Sequence, residues 1–146
     1  LVPRWLCRRY SVTLRAPADS SEWLCVILGV LLCLAGLALF VTTLFLFAKR
    51  GRGTLAPWDP PVHLVIAGPY RFVRNPMVSG VLLITAGESL ILRSSVHAIW
   101  AGVFLLLNAI YIPLIEEPQL HQRFGEAYRE YTRNVPRFLP RLSPWK

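Results

Sequence analysis

Charge is distributed along this chain in blocks. From Trp23 to Ala48, 26 consecutive residues carry none. As a helix this stretch is about 39 Å long, more than the roughly 20 apolar residues needed to cross a hydrocarbon core. Val96 to Ile115 is a second uncharged stretch, interrupted only by His97, Asn108 and a late Pro113. Between them, Met77 to Leu92 carries a single charge, Glu88, and is about 24 Å long as a helix. Its place between two strong spans favours a third, short crossing over a re-entrant segment. Beyond Glu116 the period changes. Leu120, Phe124, Tyr128, Tyr131 and Val135 recur at three- and four-residue steps, with Arg123, Glu126, Arg129, Glu130 and Arg133 opposite them. This pattern predicts an amphipathic helix lying along the headgroups or over a site as a lid. The fold class expected is an all-α membrane protein of about three transmembrane helices plus an amphipathic C-terminal helix.

Breakers divide these elements. Lys49-Arg50-Gly51-Arg52-Gly53 stops the first helix, and Pro57, Pro60 and Pro61 exclude regular helix from the extended surface segment that follows, Thr54 to Ile66. Gly68-Pro69 marks a turn. Asn75-Pro76 starts the next helix, with Asn as cap and Pro at a tolerated first position. The free N–H groups of that helix open toward a basic loop, an arrangement suited to an anion. Ser94-Ser95 makes a tight connection to the last span, and Pro136 and Pro140 end the amphipathic helix. We divide the chain into an N-terminal arm, 1–22, and one domain, 23–146. The arm does not read as a signal peptide, because no apolar stretch follows its arginines before Trp23. It reads as an interfacial arm or the remnant of a longer N-terminus.

Composition agrees with membrane residence: 54% of residues are hydrophobic and mean hydropathy is +0.45. The net charge of +8 raises nucleic acid as a partner, but the arginines flank apolar spans and are better explained by anionic lipid and topology. With three crossings, loop 49–76 and the tail after Ile115 share one side and hold eleven of the sixteen basic residues. The positive-inside tendency puts that side in the cytoplasm, against the pull of four N-terminal arginines. Cys7, Cys25 and Cys33 form no CxxC and read as small packing residues. His63, His97 and His121 are scattered, so no metal site is expected.

Two polar constellations remain, each at the mouth of an apolar helix. One is Gly68-Pro-Tyr-Arg-Phe-Val-Arg-Asn-Pro-Met77. The other is Glu116-Glu117-Pro-Gln-Leu-His-Gln-Arg-Phe-Gly125-Glu-Ala-Tyr128-Arg-Glu-Tyr131, followed by Val135-Pro136. The first resembles the GxYxxxRHPxYxG core, and the second the EExxLxxxFGxxYxxYxxxVP tail, of the integral-membrane methyltransferases typified by isoprenylcysteine carboxyl methyltransferases and phospholipid N-methyltransferases. The resemblance covers most of 54–141. It implies S-adenosyl-L-methionine as methyl donor and a lipophilic small-molecule or lipid-borne acceptor. It also implies a cofactor pocket lined by Val62, His63, Leu64, Val65, Tyr70, Asn75, Pro76, Met77 and Val78, with Glu116 contacting the cofactor. Such a pocket needs a carboxylate for the donor's amine, helix-start N–H groups for its carboxylate and apolar walls for its adenosine. The chain has no GxGxxG and no strand–helix alternation, so helix ends and a loop must build it.

This sequence departs from the family pattern at several points. Asn75 stands at the His position, and Val78 replaces a Tyr. Ile112 stands where prenylcysteine methyltransferases place an Arg for the substrate carboxylate, which argues against a prenylcysteine acceptor. A lipid amine, a thiol or a small lipophilic molecule remains open. Glu116 and Glu117 are candidate catalytic bases, against a plainer role as a solvated helix end. Arg71 and Arg74 are equally explained as membrane anchors. Glu88 is either a functional intramembrane carboxylate or a protonated packing residue. The reading is a membrane methyltransferase. The alternatives are a sterol-reductase-like oxidoreductase using NADPH and a catalytically silent membrane scaffold.

Overall fold

The computed structural model describes residues 8–10, 15–50 and 63–146. All regular structure among them is helical: α1 (Ser20–Arg50), a 3-10 turn at Gly68–Arg71, α2 (Pro76–Ile91), α3 (Ser95–Tyr111), a π turn at Ile112–Glu116 and α4 (Glu117–Asn134). The predicted apolar run 23–48 lies inside α1, 77–92 coincides with α2 to within one residue, and 96–115 fills α3 and continues into the π turn. Among the described residues two helices are long and apolar enough to cross a membrane, Ser20–Lys49 and the continuous Ser95–Asn134. Leu31, Leu34, Phe45, Ile99, Leu106 and Leu114 are among the large apolar side chains left exposed along α1, α3 and the π turn. Exposure on that scale fits a lipid-facing surface and not a water-facing one.

The helices deal with their own polar groups. Thr43, fully buried, donates to Leu39 O and Phe40 O at 2.9 and 2.8 Å, and Thr85 donates to Val81 O and Leu82 O at 2.9 and 3.1 Å. Asn108 donates to Phe104 O at 2.8 Å. Each side chain is thereby satisfied within its own helix, as a lipid surrounding requires.

The described chain forms two compact units. The first takes in residues up to Ala38 together with Gly80–Asn108. Its centre is a glycine seam between α1 and α2. A Cβ placed on Gly87 would lie 2.5 Å from both Gly29 O and Cys33 Sγ, and one on Gly36 would lie 2.6 Å from Gly80 O. Gly29 therefore meets Gly87 and Gly36 meets Gly80, so the helices run antiparallel with backbones in contact. Close approach through small residues is how helices associate where lipid removes the hydrophobic drive. Cys33 sits in this seam and donates to Ile84 O at 3.6 Å, in keeping with a packing role. At one end Asp19 caps α1 by accepting from Glu22 N at 2.8 Å. There Glu22 pairs with Arg15 and, at 3.7 Å, with Arg93, whose guanidinium also donates to Arg15 O at 2.8 Å. Arg93 itself takes a positive φ of 47° in the tight connection to α3.

The second unit comprises Leu39–Ser79 and Ala109–Lys146. Its core is Tyr128, Tyr131 and Val135, with Leu64, Ile66, Leu120, Phe124 and Trp145 packed around them. The apolar stripe of α4 is thus the one predicted, but it is covered within its own unit and not offered to headgroups. The segment ahead of the 3-10 turn, expected at the surface, likewise contributes buried Val65 and Ala67. α4 is broken at Gly125, whose φ of 55° and ψ of −128° lie in a region that only glycine enters at low cost.

Candidate functional site at the Glu116–Glu117 junction

Pro113 has no N–H to give to the preceding turn, and the helix widens where it sits. The i→i+5 bond that closes the wider turn runs from Glu117 N to Ile112 O. Turns of this kind are often found at functional sites. Here the π turn delivers two consecutive glutamates whose environments differ sharply.

Glu117 is buried and fully engaged. Its Oε1 accepts from Arg74 at 2.8 Å and from Arg137 Nε at 2.8 Å, and its Oε2 accepts from the second arm of Arg137 at 2.8 Å. The Arg137 fork is bidentate, the strongest form of such a pair. Glu116, one residue earlier, is half-buried and has neither a hydrogen bond nor an ion pair among the described residues. Burial raises its carboxyl above the ordinary value, and the neighbouring charge of Glu117 raises it further. Two tyrosines sense Glu116. Tyr70 is pushed up to about 12, by burial first and then by the Glu116 charge. Tyr128 is also pushed up to about 12, chiefly by burial, with Glu117 and then Glu116 adding to it against Arg74. Both phenols therefore stay neutral, with that of Tyr128 hydrogen-bonded to Arg74.

Backbone bonds hold the loop that faces these groups. Tyr131 Oη donates to Tyr70 O at 2.7 Å. Arg74 N donates to Pro136 O, Arg141 N to Phe72 O and Trp145 N to Arg71 O, each at 2.9 Å. Arg71 donates through Nε to Trp145 O. The tail beyond α4 is thus laced along residues 71–74. Asn75 donates its side-chain amide to Arg137 O at 3.4 Å and has no bond to the first amides of α2, so it ties the tail where the sequence implied a helix cap.

The sequence-derived site residues divide accordingly. Val62 lies outside the described residues. His63 is exposed, Leu64 packs on the aromatic core and Val65 is buried. Tyr70 and Glu116 share one electrostatic neighbourhood, as do Glu117 and Tyr128. Asn75, buried Pro76 and half-buried Met77 and Val78 form the start of α2. Arg137 and the tail lacing went unnoticed in the sequence; the only signal was an arginine directly after Val135-Pro136. No group of three or more potential metal ligands occurs among the described residues.

Known proteins resemble this chain over about half of its length. Protein-S-isoprenylcysteine O-methyltransferase B of Arabidopsis thaliana is 38% identical over 78 residues, which is 53% of this chain and 39% of that protein. Methanethiol S-methyltransferase of Pseudomonas deceptionensis is 36% identical over 84 residues, 50% of this chain and 27% of that protein. The chain thus spans well under half the length of either relative. No solved structure matches. The family model for phospholipid methyltransferases matches residues 24–127, most of the chain. With that match, the chain belongs to the phospholipid methyltransferase family.

Proposed function

We propose that this protein is a membrane methyltransferase that takes its methyl group from S-adenosyl-L-methionine and passes it to a lipophilic or lipid-borne acceptor. One observation carries the reading at the site: Glu116 is a half-buried carboxylate without a partner, beside a second carboxylate that two guanidinium groups already satisfy. A carboxylate left free in this way suits a cationic ligand, and the donor's ammonium and sulfonium supply positive charge. The residues present therefore fit the cofactor. When bound, it supplies a methyl group already activated by the sulfonium.

In this reading Glu116 binds the ammonium, and Tyr70 and Tyr128 offer neutral hydroxyls beside it. Val65, Met77 and Val78, with the start of α2, supply the apolar and N–H surface that the resemblance implies for the rest of the donor. His63, Leu64, Asn75 and Pro76 complete the proposed lining. The protein's main contribution is to orient donor and acceptor in line and to exclude water. Glu117, with its oxygens occupied, acts as the anchor of the site and not as its base.

Titration calorimetry of detergent-purified protein with S-adenosylhomocysteine, and in parallel with NADPH, tests this reading. We expect the first to bind and the second not; binding of NADPH alone would overturn it. Glu116→Gln should weaken S-adenosylhomocysteine binding by about 1.5–3 kcal/mol, the range for a hydrogen bond to a charged group, while circular dichroism stays native-like. The pH dependence has a definite sign. A raised carboxyl pKa means that affinity is full above that value and is lost as pH falls through it, beginning above the ordinary glutamate range. In Glu116→Gln that dependence should disappear.

The membrane arrangement we propose has three crossings, with loop 49–76 and the tail on the cytoplasmic side, where the soluble donor arrives. The joining of Arg15, Glu22 and Arg93 at one end of the first unit supports an antiparallel pair of crossings. Single cysteines at Ser95 and Ser143, both exposed, in a background lacking Cys7, Cys25 and Cys33, test it with a membrane-impermeant thiol reagent. Position 95 should label in intact cells and position 143 only after permeabilisation. The reverse pattern would invert the orientation.

A further inference from the structure

Arg137 lies outside both motif blocks, in the tail after α4. Its guanidinium reaches back twenty residues to clasp both oxygens of Glu117 at 2.8 Å. Its carbonyl oxygen receives the Asn75 amide at 3.4 Å, and the adjacent Pro136 carbonyl receives Arg74 N at 2.9 Å. One tail residue is therefore fixed to both strands of the site, the loop before α2 and the glutamate that ends the π turn. Arg74 supplies the second guanidinium on Glu117, also at 2.8 Å. Its side chain is 12% exposed and that of Glu117 11%, so both charges lie where water screens them poorly.

We propose that Arg137 is a positioning residue for the Glu116 carboxylate, clasping Glu117 so that most of its charge is offset and Glu116 is left free for a cationic ligand. Two adjacent carboxylates in a partly buried setting resist ionising together, and one is forced to hold its proton. The groups facing Glu116 are Tyr70 from the 3-10 turn, Tyr128 from α4 and Glu117 beside it, with Arg74 acting on Glu117 and Tyr128. None of them donates a hydrogen bond to Glu116. Its ionisation therefore depends on how completely Glu117 is neutralised. Arg74 reaches only Oε1 of Glu117, which it shares with Arg137 Nε, and Oε2 is held by Arg137 alone.

The consequence is a pair of shifts with opposite sign. Arg137→Ala exposes Glu116 to more of the Glu117 charge and should raise the pH at which Glu116 loses its proton. Glu117→Gln removes that charge while leaving both guanidinium groups, and should lower it. A residue that merely braced the fold would not produce the two directions.

Infrared difference titration of the full chain in detergent, without ligand, reads the Glu116 carboxyl band directly, assigned by its loss in Glu116→Gln. The midpoint should rise by about one pH unit in Arg137→Ala and fall by a similar amount in Glu117→Gln, the size expected for losing one close charge. Arg137→Lys, which keeps the charge but not the bidentate fork, should fall between wild type and Arg137→Ala. It serves as the measure if the alanine variant does not fold. A midpoint unmoved in Arg137→Lys and Glu117→Gln, or moved in the same direction by both, overturns the proposal. The functional half rests on the methyltransferase reading, and S-adenosylhomocysteine titrations of the same variants separate the two. Shifted midpoints without binding in wild type overturn the cofactor reading and leave the Arg137 assignment standing. Binding in wild type with unmoved midpoints overturns the assignment alone.

Discussion

The two units of this protein solve the same problem, holding helices and loops in place, by opposite means. The first joins α1 to α2 through what is missing. Gly29, Gly36, Gly80 and Gly87 bring backbones together, and dispersion over a dry seam does the rest. The second works through what is present, with two tyrosines and Val135 at its centre, Trp145 packed on them, and a buried carboxylate between two guanidinium groups. Glycine contacts tolerate almost no added volume but carry no charge to disturb. An ion-paired aromatic core tolerates small changes of shape but is sensitive to the loss of a partner. The candidate site lies in the second unit because binding a charged ligand needs polar groups under electrostatic control.

The comparison is broken most forcefully from the first side. Gly87→Leu drives a side chain into Gly29 O and Cys33 Sγ, where no flexible neighbour can yield. A loss of at least about 3 kcal/mol is expected, read as loss of folded protein in detergent melts. If Gly87→Leu is tolerated, the seam is not the organising contact of that unit. Next in size, Arg74→Ala leaves Glu117 with Arg137 alone and removes a largely buried cation. About 2–3 kcal/mol should be lost, toward the lower end of broken buried pairs because Arg137 remains. Equal stability would mean that the tail lacing, not the ion pairs, holds the loop. The smallest effect sharpens the contrast. Tyr131→Phe deletes the bond to Tyr70 O and keeps the aromatic packing, for a loss of about 1 kcal/mol, visible as a modest shift in melting temperature.

Much of the first unit was legible in the sequence. Charge-free stretches locate α1 and α3 because a membrane-length helix must exclude charge along most of its length, and an apolar stretch with one charge, Glu88, locates α2. The seam was not legible. Gly29 and Gly36 are seven residues apart, as are Gly80 and Gly87, but glycine in an apolar run carries no sign of its partner. In the second unit the stripe of α4 was readable from its period, while its covering was not. An amphipathic helix looks the same whether it faces headgroups or its own chain. Arg74 and Arg137 were counted as topology charges, since counting assigns every arginine a side of the membrane and none a partner. The division of labour between Glu116 and Glu117 depends on those two arginines, so the sequence offered both glutamates as candidate bases, and the resemblance alone set Glu116 apart as the cofactor contact.

The hydroxyls of Thr43 and Thr85 bear on how this protein is made. Both close onto carbonyls of their own helices, so neither hydroxyl needs the other helix as a partner. The glycine seam can then form between two helices whose hydroxyls are already satisfied. During synthesis the order of events is set by the chain: α1 is complete first, and α2 begins after a connection of 25 residues, 51–75.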